Sequence, residues 1–268
     1  DPGDVVTWSP TTGGAVEELT FGTDAFTSIQ AAIDAASEGY TIEVAAGTYM
    51  PATTLRVDKE LTVVGAGSDQ TTIDVGGYNA WGVYITADNV TFQGFTILGD
   101  AVANQQFALK VGTGNNTGVD AHINENLKLS DIKVQGTKRT GIDLNGVQNA
   151  TLTDITSTGA TSGFGFSISS SQDVTVTNLT TSENAWGDVG IFPANAPYQF
   201  PSIASPSGIV FTGSVSLSDG DGSISVQDGA LDLEEGGTWV GTISNDPADG
   251  ADVTVPTDFS LVVNATRD

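Results

Sequence analysis

Five of the eight basic residues of this 268-residue chain lie between positions 110 and 139, set against 33 Asp and Glu and a net charge of −25. They are Lys110, Lys128, Lys133, Lys138 and Arg139. Lys128 and Lys133 bracket the apolar Leu129 and Ile132, so strand alternation turns both lysines outward. A cationic cluster in an anionic chain suits an anionic sugar such as a uronate, with Lys128, Lys133 or Arg139 as the base of a β-elimination. Asp131 and Asp143 are near enough in sequence to share a Ca²⁺ that would acidify the sugar's C5 proton. The alternative for the same residues is a set of solvated charges paired with local carboxylates.

Two further groups bear chemistry. Asn79-Ala80-Trp81-Gly82 recurs as Asn184-Ala185-Trp186-Gly187, placing two tryptophans where they could stack on sugar rings. Tyr198 would extend that platform, and Lys110 and Lys138 would add charge; the alternative is that both tryptophans cover an apolar corner. Asp219, Asp221, Asp228, Asp232 and Glu234 are hard oxygen donors among glycines, suited to a turn-level Ca²⁺ site although they complete no EF-hand loop. Solvated turn carboxylates are the competing account. The single histidine, His122, has no Ser or Cys partner and reads as a surface residue. Thr151/Thr153 and Thr175/Thr177 would lie on successive coils, as in ice-binding solenoids, but Thr91/Gln93 and Lys128/Ser130 interrupt the array.

The elements that must position these groups begin at residues 26–38. Phe26, Ile29 and Ile33 form one apolar helical face, Thr27 and Gln30 fit a capping box, and Gly39 is a stop. The period then changes from 3.6 to 2 in Ile42/Val44, Leu55/Val57, Leu61/Val63 and Ile73/Val75. Aligning Asn89, Asn126, Asn149 and Asp173 stacks Phe92, Leu129, Leu152 and Val176, then Phe95, Ile132, Ile155 and Leu179. The coil is thus about two dozen residues long, interrupted by loops at 113–125 and 192–207. Residues 1–25 form a lead-in arm, 26–268 a single β-helix domain, and 251–268 its last strand or cap. The stretch FTSIQAAIDAASEGYTIEVAAGTY resembles the capped first coil of the right-handed parallel β-helix proteins, the pectin-lyase-like superfamily, and the lead-in before it resembles that of bacterial surface-protein modules. The resemblance implies an all-β solenoid with a helical cap.

Polysaccharide lyases, pectin methylesterases and polygalacturonases share that fold, but their signatures are missing here: no Arg-x-Pro-x-x-Arg, no Gly-His-Gly, no Gly-x-x-Asp-Phe-Ile-Phe-Gly. No catalytic residue carries over. The favoured expectation is therefore a non-catalytic extracellular module, structural or adhesive, self-assembling through its terminal arms and stabilised by calcium. A polysaccharide lyase and a carbohydrate-binding module are the alternatives. The acidity makes nucleic acid and anionic membranes poor partners, and no apolar run is long enough to insert in a bilayer. The chain has no cysteine and opens at Asp1-Pro2, as a processed secreted protein or an excised module would.

Overall fold

The computed structural model describes residues 6–10, 28–77, 81–101, 106–112, 122–192, 206–217, 223–226, 230–233, 238–240, 242–245 and 252–254, those at 6–10 and beyond 217 as backbone. Strand β1 (Val6–Pro10) is followed by helix α1 (Ile29–Ala35), then β2 (Tyr40–Val44), β3 (Gly47–Tyr49), β4 (Leu55–Val57), β5 (Leu61–Gly65) and β6 (Thr71–Asp74). The middle of the chain supplies β7 (Trp81–Ile85), β8 (Thr91–Leu98), β9 (Phe107–Val111), β10 (Asn124–Glu125), β11 (Lys128–Thr137) and β12 (Thr140–Asn145). Next come β13 (Val147–Ala160), β14 (Phe164–Ser169), β15 (Gln172–Ser182), β16 (Gly187–Phe192) and β17 (Ser207–Leu217). Short strands finish it: β18 (Ser223–Val226), β19 (Ala230–Leu233), β20 (Thr238–Val240), β21 (Thr242–Asn245) and β22 (Asp252–Thr254).

These strands form two sheets. The first runs β1-β2-β5-β8-β11-β13-β15-β17-β19-β22 and the second β21-β18-β16-β14-β12-β9-β7-β4. Every described pairing is parallel except β1 with β2. Alternating visits to two parallel sheets, coil after coil, make a right-handed parallel β-helix.

The aligned apolar residues do stack. Phe92, Leu129, Leu152, Val176 and Phe211 are register neighbours, as are Phe95, Ile132, Ile155, Leu179 and Val215. All are buried in one continuous core. On the second sheet Leu55, Val83, Leu109, Ile142, Phe166 and Val189 form the facing ladder.

What bends a strand into a coil is a set of left-handed residues five positions apart. Asn126, Asp131 and Gly136 have φ of 59, 50 and 64°, and one coil on Asn149, Asp154 and Gly159 have 57, 55 and 77°. Asp173, Asn178 and Glu183 repeat the pattern. Asn and Asp are the non-glycine residues that tolerate this region best, because their short side chains hydrogen-bond locally. Here the side chains also bond between coils: Asn126 Nδ2 donates to Asn89 Oδ1 at 2.9 Å, and Asn178 Nδ2 to Asp154 Oδ1 at 2.8 Å. At Gly208, where φ is +63°, a Cβ would press on the Asp173 carboxylate, so this step of the column takes glycine.

The first coil is closed by four devices. The N-cap of α1 is Ser28, whose Oγ accepts from Ala31 N at 3.1 Å; the expected Thr27 lies outside the described residues. Gln30, expected in a capping box, instead takes both backbone groups of Arg56, accepting from its N at 2.7 Å and donating to its O at 3.2 Å. It stands in for a further strand at the open edge of β4. Lys59 Nζ caps the other end of α1, donating to the carbonyls of Ile33, Asp34 and Ala36 at 3.0, 2.8 and 2.9 Å. On the first sheet β1 lies antiparallel on β2, Val6 opposite Val44 and Pro10 opposite Tyr40. The segment of the lead-in arm that was expected to reach a second subunit is therefore paired within its own chain.

Candidate functional site

The second sheet positions the site. Opposite its core ladder, the outward column runs Arg56, Tyr84, Lys110, Asp143, Ser167 and Gly190, one residue per coil. An outward column is ordinarily solvated, yet Tyr84, Lys110, Asp143 and Ser167 retain only 6, 3, 6 and 4 % exposure. Their polar groups are satisfied laterally: Lys110 Nζ forms an ion pair with Asp143 Oδ2, and Ser167 Oγ donates to Asp143 Oδ1. Lys110 Nζ also stands 5.0 Å from the centre of the Phe107 ring, and the Arg56 guanidinium 5.2 Å from that of Tyr84.

Beside this polar floor lies an aromatic border. At the strand starts Trp81, Phe107 and Thr140 are successive register partners, as are Phe164 and Gly187, and the pairing of Ile142 with Phe166 links the two runs. Trp81 packs on Tyr84 at 4.6 Å and is half-buried, and its buried Nε1 has no hydrogen-bond partner among the described residues. Phe164 makes edge contacts with Trp186 at 6.1 Å and Phe192 at 5.3 Å. Trp186 is 55 % exposed. Arg139, exposed in the turn between β11 and β12, lies 5.9 Å from the Trp186 ring and 5.8 Å from Phe107. The result is an open platform of indole, phenyl and guanidinium planes over a buried ion pair.

The structure divides the sequence-derived candidates. Lys110, expected to touch sugar, is instead a buried partner of Asp143 beneath the surface, because the coil stacks residue 143 directly on residue 110. Lys133, a candidate base, pairs with Asp69 at 2.5 Å on the first sheet. Lys128 is exposed on that same sheet between Thr91 and Thr151. Of the three proposed bases only Arg139 borders the second sheet, and Lys138 precedes it in the same turn. Asp131 and Asp143 do not converge either, since Asp131 accepts from Ser68 N at 2.9 Å and Ser68 Oγ at 2.5 Å. His122 pairs with Asp88 at 2.8 Å and is half exposed.

The repeated Asn-Ala-Trp-Gly motif is four strand steps apart along the second sheet, but Trp81 is in register with Gly187, one residue beyond Trp186. That slip leaves Trp81 packed and Trp186 open. Tyr198, Asp219, Asp221, Asp228 and Glu234 lie outside the described residues, and Asp232 is described only as backbone, opposite Val210 in β19. Among the described residues no three His, Asp or Glu side chains are grouped to hold a metal ion. Phe107, Phe164 and Phe192 were not singled out from sequence.

Comparison with known families falls on this same stretch. The sequence model of the rhamnogalacturonase A/epimerase, pectate lyase-like family matches residues 20–193, more than half of the chain. The chain belongs to this family. The matched region runs through α1 to the end of β16 and so contains the whole outer column from Arg56 to Gly190. Among solved structures, a pectin methylesterase from Yersinia enterocolitica aligns with 13 % identity and a TM-score of 0.31, covering 88 % of this chain and 94 % of that one. No curated protein matches. The pectate lyase-like assignment agrees with the all-β solenoid, and no described helix is long and apolar enough to cross a membrane.

Proposed function

We propose that this member of the family is a non-catalytic extracellular carbohydrate-binding module that holds a uronate-bearing polysaccharide on the outer face of the second sheet. The observation that carries the reading is the exposed Trp186, braced edge-on by Phe164 and flanked by the Arg139 guanidinium. An indole face stacks on the apolar face of a sugar ring, and a guanidinium fork matches a carboxylate. Membership in a family whose description names pectin-directed activities supports a carbohydrate partner. Against a lyase stand the ion pairs of Lys110 and Lys133, which commit two of the cluster's amines to Asp143 and Asp69. The rigid solenoid then serves adhesion by holding the platform fixed on one face.

The test is affinity electrophoresis in gels containing polygalacturonate, with a neutral glucan gel as control. Retardation should occur only in the acidic gel, and Trp186→Ala and Arg139→Ala should each weaken it by about tenfold, the loss of roughly 1.4 kcal/mol. The same polymer incubated with the protein should show no rise in ultraviolet absorbance from unsaturated ends. Such a rise would overturn the non-catalytic part of the reading, and equal migration in both gels would overturn the binding part.

A further inference from the structure

We propose that the outer face of the first sheet on β13, β15 and β17 is an ice-binding surface. Two columns lie there in continuous register, Thr151 with Thr175 and Val210, and Thr153 with Thr177 and Thr212. Neighbouring strands repeat at about 4.8 Å and same-face residues along a parallel strand at about 6.6 Å, so these side chains form a two-dimensional lattice with spacings near those of ice planes. Among the described residues none of the five threonine hydroxyls hydrogen-bonds within the chain, which leaves each available to an external lattice. Val210 keeps the methyl at the one position without a hydroxyl.

Rigidity and charge point the same way. The columns sit directly above Leu152, Val176 and Phe211, each fully buried, so the array is ordered before it meets anything and loses little freedom on docking. In a chain of net charge −25, these positions carry no charge at all. Asp154 bounds the facet at the corner, its carboxylate held by Asn178 Nδ2, and Lys128 bounds it one coil before Thr151. Past the corner the pattern continues with Thr156 beside Thr180. A neutral, periodic, hydroxyl-and-methyl surface suits a crystal of water molecules better than a charged polymer or an aromatic-seeking sugar ring.

The experiment is an ice-recrystallisation assay on the full chain, alongside Thr153→Lys, Thr177→Lys and Met50→Lys, the last exposed elsewhere on the molecule. Thermal melts confirm that each variant folds. The unaltered chain should hold grain size constant at micromolar concentration, either facet lysine should raise the required concentration at least tenfold, and Met50→Lys should change nothing. Grain growth equal to that with an unrelated acidic protein overturns the proposal, as does full activity in both facet variants. Retention on microcrystalline cellulose that either facet lysine abolishes, without any effect on ice, assigns the face to a neutral polysaccharide and overturns it as well.

Discussion

Lys110, Asp143 and Ser167 show how a solenoid can bury ionised groups on the face turned away from its core. The polar contacts of this column run from coil to coil, from Lys110 to Asp143 and from Ser167 to Asp143. Removing one member of a buried pair strands the other, at a cost of about 3–5 kcal/mol, whereas replacing both by apolar residues is often neutral. Lys110→Met should therefore lower the urea midpoint sharply, and Lys110→Met with Asp143→Leu should recover most of it. A single variant as stable as the parent would show that solvent reaches this column. The outward alternation of Lys128 and Lys133 was legible in sequence; the meeting and burial of Lys110 and Asp143 were not, because they depend on Phe107 and on stacking across 33 residues.

At the scale of elements, the helix and first strands serve to end the sheets. Gln30 occupies the backbone of Arg56 at the β4 edge, Lys59 occupies the last carbonyls of α1, and β1 covers β2. Exposed edges of parallel sheets pair readily with other chains. Since β1 is paired within the chain, deleting residues 1–12 should uncover β2 and raise the mass measured by light scattering, rather than dissolve an assembly. An unchanged mass would mean that the β2 edge is protected by something else. The helix and the strand periods could be read from residues 26–75, but the N-cap shifted from Thr27 to Ser28, since capping positions depend on the exact entry angle of the chain.

For the whole molecule, 33 acids against 8 bases on a thin rod mean mutual repulsion among surface carboxylates. The melting temperature should rise with sodium chloride as this repulsion is screened, and Ca²⁺ should raise it further than sodium chloride at equal ionic strength if Asp219, Asp221, Asp228, Asp232 and Glu234 bind the ion. Differential scanning calorimetry separates the two effects; identical curves in both salts would remove the calcium proposal. The sequence by itself determined the solenoid, because inward ladders such as Phe92, Leu129, Leu152 and Val176 and the Asn/Asp corners recur along the chain at the coil's own period. Only the tertiary structure decided which outward groups meet. Lys133 and Asp69 are 64 residues apart, and Lys128 and Arg139, close in sequence, diverge to different sides, because neighbours on the surface are set by coil stacking and corner placement rather than by distance along the chain.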